Sequence, residues 1–174
     1  MSRDLTVDEI LAILSETPNR IAALTDGLTP AQLRAAPGPD AWSVNAVLAH
    51  LRACGDVLGG NTLRIVREDG PAWKGMNPRA WLKKTDYPTW EFKPAFEAFT
   101  RQRAELLEVL ESLPPEAWHR TATVTGMIGE TYERSARYYA NWLAGHERTH
   151  WRQIGHIVAG LGTATTSVTR PSST

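Results

Sequence analysis

The sequence predicts an all-α protein, a four-helix bundle with a long crossover between its second and third helices. Four segments carry apolar residues at helical spacing, and no convincing hairpin or strand-like alternation appears between them. One connection is also far longer than a helical hairpin needs. At 174 residues the chain can bury one hydrophobic core without staples.

The first helix is expected from about Val7 to Leu24, with Val7, Ile10, Leu11, Leu14, Ile21 and Leu24 on one stripe. Pro18 lies inside it and is expected to kink or split it, because proline lacks the N–H and clashes with the preceding turn. The second begins at Ser43, a good N-cap, and continues to about Arg67 through Val47, His50, Leu51, Cys54, Leu58 and Ile65. The stretch from Gly70 to Thr89, with Pro71, Pro78 and Pro88, forms the crossover. Trp73 and Trp81 within it should pack over the bundle. The third helix covers about Trp90 to Leu113, with Phe92, Phe96, Phe99, Leu106, Leu107 and Leu110 inward. The fourth runs from about Thr131 to Ala159, and Gly160 with Gly162 supplies its stop. One domain over residues 1–162 and a flexible Ser/Thr-rich tail over residues 163–174 are expected.

Lys plus Arg equals Asp plus Glu at 19 each, so the chain has no electrostatic footprint for nucleic acid or an acidic membrane. The one cysteine, Cys54, excludes an internal disulfide and fits a reducing compartment. Asp8 and Glu9 interrupt any signal-like apolar run, and no stretch approaches a membrane span. A cytoplasmic protein with a small-molecule substrate is the expectation.

The chemistry concentrates at His146-Glu147-Arg148-Thr149-His150. Two His four residues apart on a helix lie about 40° apart and about 6 Å along it, a workable span for two ligands of one metal. Both fall on the stripe that holds Tyr139, Trp142 and Ile157, and His50 faces inward on the second helix. Burying several imidazoles without a partner is unfavourable. In a bundle of this kind, one His from one helix and a pair from another can converge on a divalent ion and leave positions open. H-E-x-x-H is also the zinc-peptidase signature, with Glu as general base. The longer string His146 to His156 lacks the glycine that would turn the helix, however, so His156 falls about 120° off the metal face. Glu147, about 100° from His146, reads first as a surface charge and second as a base or supporting group. Cys54 reads as a small buried thiol before a metal ligand, and His119 as exposed.

Trp42-Ser43-Val44-Asn45-Ala46-Val47-Leu48-Ala49-His50-Leu51 is similar to W-S-x-x-x-x-L-x-H-L. His146 to Ile154 is similar to H-x-x-x-H-x-x-Q-I, and the lead-in from Pro37 to Trp42 fits as well. With both motifs in this order, nearly the whole chain resembles the DinB/YfiT-like family of metal-dependent helical bundles. The resemblance implies a metal triad of His50, His146 and His150 and a homodimer. Branches of that family include transferases and isomerases that use low-molecular-weight thiols.

The first functional expectation is therefore a metal-dependent enzyme that transfers a low-molecular-weight thiol to a small electrophile, with the metal favouring the thiolate. Zinc or nickel leads as the metal, with iron or manganese as alternatives. Glu147 is the candidate catalytic residue, Trp73, Trp81 and Tyr87 the candidate pocket walls, and Tyr139 and Trp142 the candidate cofactor-binding floor. Metal-dependent hydrolysis of a small molecule, and a non-catalytic metal or ligand-binding stress-response protein, stand as alternatives.

Overall fold

Four long helical runs carry the structure, a computed structural model that describes residues 4–126 and 128–164. Helix α1 spans Val7–Thr25 and is followed by a short α2, Pro30–Arg34. Helix α3, Val44–Cys54, passes through a π-helical turn, Gly55–Gly59, into α4, Gly60–Arg67. The connection that follows holds strand β1, Ala72–Lys74, helix α5, Pro78–Leu82, and a 3-10 turn, Tyr87–Thr89. Helix α6 is Phe92–Glu111, and a further 3-10 turn, Pro115–His119, leads into β2, Thr121–Thr125, and β3, Thr131–Ser135. Helix α7, Ala136–Ala164, closes the order. Both α1 and α3 pack against α6 and α7.

Local chemistry explains the helix starts. Thr6 caps α1 in a reciprocal box, accepting from Glu9 N at 3.2 Å while Glu9 Oε2 accepts from Thr6 N at 2.9 Å. Ser43 Oγ accepts from Ala46 N at 3.2 Å, so α3 begins where its N-cap predicts. Of the kink or split expected at Pro18, the split does not occur, and α1 runs unbroken through it. Its cost is about 3 kcal/mol. Burial of Ile10, Leu14 and Ile21, each worth about 1.5–3 kcal/mol, outweighs it.

Two other expectations are corrected. A three-stranded sheet exists, ordered β1-β2-β3, with β1 parallel to β2 (Ala72 opposite Thr123) and β2 antiparallel to β3 (Thr121 opposite Ser135). Thr121-Ala122-Thr123-Val124-Thr125 buries Ala122 and Val124 and exposes Thr121 and Thr123, so the alternation is real. Residues 131–135 are therefore strand, and α7 starts only after Ser135, whose Oγ accepts from Tyr138 N at 3.0 Å. Gly160 and Gly162 do not stop α7, which runs to Ala164. The rest of the expected tail, residues 165–174, lies outside the described residues. Among the described residues, no helix is long and apolar enough to cross a membrane.

The apolar core falls into two clusters. One gathers Leu14, Leu58, Leu106, Leu110, Leu143 and the inward side of β2. The other gathers Ile21, Val47, Leu51, Phe99 and Ile154. Each long run crosses from one cluster to the other at a buried or half-buried polar residue: Thr17 on α1, His50 on α3, Arg103 on α6, and His146, Glu147 and His150 on α7. A polar layer thus cuts the bundle at mid-height.

Candidate metal centre

The imidazoles of that layer converge. His50 Nε2 lies 2.9 Å from His146 Nε2, and His146 Nε2 lies 3.1 Å from His150 Nε2. The three form a group whose nitrogens could hold one metal ion. Ligand nitrogens of a tetrahedral zinc stand about 3.3 Å apart, given Zn–N of about 2.0–2.1 Å, so the observed spacings are close to ligand edges.

The protonation of the rings also suits a cation. Burial, with the His150 and His146 neighbours, lowers His50 to about 3. Burial and His150 lower His146 to about 4. Burial lowers His150 too, against the pull of its bond to Gln153. All three rings are neutral at pH 7, the form that ligates. Gln153 Oε1 accepts from His150 Nδ1 at 2.7 Å, which leaves the lone pair of His150 on Nε2, facing His146. His50 Nδ1 is buried without a hydrogen-bond partner, so this ring's polar engagement is all at its Nε2 end.

Around the triad the sequence expectations divide. His156 and His119 are exposed and outside the cluster, as their helix position and loop setting predict. Cys54 is a buried free thiol with Sγ 3.5 Å from His50 Nε2, and burial raises it to about 12. Glu147 is no surface charge. It is fully buried, paired with Arg103 of α6, and turned toward α1 and α6. Burial pushes its carboxyl above the usual range, opposed by the Arg103 guanidinium and the Thr17 hydroxyl.

Two cavities border the triad. A cavity of about 700 Å³ includes Trp42, His150 and Gln153 in its wall. A smaller one, about 280 Å³, is lined by His50, Cys54, His146, Asn77 and Trp142. Trp142 is thus at the site, though 43% exposed, which places it at the rim and not the floor. Tyr139 lines a neighbouring cavity with Trp142, beside Trp73 at a ring distance of 6.3 Å.

Trp73, Trp81 and Tyr87 line neither cavity that borders the triad. Trp81 Nε1 and Tyr87 OH instead donate to Asp56 Oδ2 at 2.8 and 2.7 Å. These bonds fasten the connection to the π turn. The positions expected of those aromatics are held by Asn77, which caps α5, by Pro78 and Arg79 of α5, and by Trp42, which stacks on His150 at 5.9 Å. Sequence reasoning missed Trp42, Gln153 and Arg79 as site residues. Gln153, three residues beyond His150 on one helix, carried a readable signal.

The profile of the DinB superfamily matches residues 13–154 of this chain. The chain belongs to that superfamily. A protein of Geobacillus kaustophilus named "Putative metal-dependent hydrolase GK0616" is 27% identical to this chain over 153 residues. That alignment covers 87% of this chain and 83% of the relative. The fold is similar to that of YfiT from Bacillus subtilis, described as "a probable metal-dependent hydrolase with an unusual four-helix bundle topology". The TM-score is 0.74 at 17% identity, covering 93% of this chain and 90% of the other. The DinB fold and a three-His cluster able to hold a metal therefore occur together in this chain.

Proposed function

We propose that the protein is a metalloenzyme in which His50, His146 and His150 hold a divalent ion, and that it transfers a low-molecular-weight thiol to a small electrophile. The convergence of three neutral imidazoles beside open cavities carries the reading. A divalent ion bound there supplies a nucleophile at neutral pH by lowering the pKa of a thiol or a water. Gln153 holds His150 in the ligating tautomer, and Trp42 braces the ring by stacking.

What favours a thiol over water is the shortage of a base at the smaller cavity, since Asp40 and His156 line only the larger one. No carboxylate lines the smaller cavity, and Glu147 is committed to Arg103. A thiol ionises far more easily than water and needs less help. Glu147 is accordingly assigned to positioning α7, not to proton transfer. Hydrolysis is the second reading, favoured by the names of the two relatives.

The test pairs metal analysis with two assays. Purified protein should hold a divalent ion that His50→Ala loses. The loaded protein should accelerate conjugation of a small thiol to 1-chloro-2,4-dinitrobenzene, and chelation should abolish this. Chelator-sensitive cleavage of 4-nitrophenyl acetate without conjugation would establish hydrolysis instead. A bound metal with neither activity would leave a binding protein.

A further inference from the structure

We propose that Arg79, supported by Arg152, binds a carboxylate of the substrate, so that the protein acts on small acids. The inference rests on the metal-site reading above and names the substrate class for it.

Arg79 is the one residue shared by the two cavities that border the triad. Arg79 is exposed and lies beside the Trp42 ring. The guanidinium carbon lies 5.4 Å from the centre of the Trp42 ring. Trp42 in turn meets His50 edge-on at 5.0 Å and stacks on His150 at 5.9 Å. The charge of Arg79 reaches all three imidazoles and the Cys54 thiol.

Among the described residues seven arginines pair with no carboxylate, and of these Arg79 and Arg152 line the cavities that border the triad, whereas Arg52, Arg67, Arg101, Arg134 and Arg148 do not. Arg152 reaches the wall of the larger cavity from α7, whereas Arg79 reaches it from α5. The carboxylate of that wall, Asp40, is in an ion pair with neither.

A cation set this close to a triad suited to a divalent ion is repelled by it unless negative charge lies between them. No carboxylate lines the smaller cavity and Asp40 of the larger one pairs with neither arginine, so an anionic ligand completes the balance. A guanidinium matches a planar carboxylate with two parallel hydrogen bonds, a geometry that lysine cannot offer. The cavity, about 700 Å³, is of small-molecule size.

The test uses cobalt-loaded protein titrated with 3-mercaptopropionate, 2-mercaptoethanol and propionate, followed by visible absorption and calorimetry. Wild type should bind 3-mercaptopropionate about tenfold or more tightly than 2-mercaptoethanol. Arg79→Gln should remove that difference, Arg79→Lys should restore part of it, and Arg152→Gln should reduce it less. A preference absent from wild type, or one that survives Arg79→Gln, overturns the assignment. If cobalt does not bind, or thiols leave its spectrum unchanged, the metal or thiol reading fails separately. Propionate then decides for Arg79: weaker binding to Arg79→Gln than to wild type supports it, and equal binding or none overturns it.

Discussion

His150 Nδ1 has one partner, Gln153 Oε1 at 2.7 Å, and that bond selects which nitrogen faces the other rings. Gln153→Leu should therefore leave the fold intact and weaken metal affinity by about 10–100-fold, read by competition with a chromogenic chelator. The lowered imidazoles also set the acid behaviour of the metal-free protein. Unfolded His titrates near about 6.5, whereas His50 and His146 titrate at about 3 and about 4 when folded. Between these limits the unfolded chain binds more protons, so stability is full above the unfolded value and falls as pH falls. Glu147, with its carboxyl raised, works in the opposite direction, but one carboxyl faces three lowered rings. Urea midpoints of chelator-treated protein should drop between pH 7 and pH 4, and His50→Leu should flatten the slope. The pair His146 and His150 was legible in the sequence because i, i+4 spacing puts two His on one face, and His50 joined it through its inward position and the family resemblance. Arg103 was legible in principle, since it interrupts the inward stripe between Phe99 and Leu106. Its partner Glu147 was not, because the pair joins different helices 44 residues apart.

The π turn Gly55–Gly59 shows how an element places a site it does not belong to. It presents Asp56 to Trp81, Tyr87 and Gln102, whose amide donates to Asp56 Oδ1 at 2.6 Å. A Cβ at Gly55 would meet the end of the Gln102 side chain, which would have to shift away from Asp56. One turn earlier, the Arg52 guanidinium packs on the Tyr87 and Trp90 rings at 3.7 and 4.3 Å. The connection is thereby stapled down, and α5 brings Arg79 over the imidazoles. Asp56→Ala should destabilise the fold by about 2 kcal/mol or more, because it removes hydrogen bonds to a charged acceptor. Amide exchange over residues 72–90 should rise more than exchange in α7. The crossover's length and its Trp residues were readable as a packed cover. Its staples were not, since they depend on a π turn with no sequence period of its own. The hairpin was missed for a different reason. Five alternating residues are a weak signal, and the apolar period of the following helix was extended back over β3.

At the scale of the molecule, the polar layer separates two apolar clusters, and its buried ion pair sits between them with the Arg103 guanidinium 5.5 Å from the Phe99 ring of one. Glu147→Ala leaves Arg103 buried and unpaired and should destabilise by about 3–5 kcal/mol. Replacing both, as Arg103→Met with Glu147→Leu, should restore most of that stability, because apolar packing removes the desolvation cost. Chemical denaturation of the three proteins measures the difference. The double variant should nonetheless hold metal less tightly, since its layer no longer fixes His146. That outcome bears on how a bundle keeps its alignment. Apolar stripes are nearly periodic, so a helix sliding by one turn, about 5.4 Å, loses little contact. A slide of α7 would move Glu147 off Arg103 and into one of the apolar clusters, a far larger loss. The layer works as an index mark, and the four helices have one longitudinal setting at which their polar levels coincide.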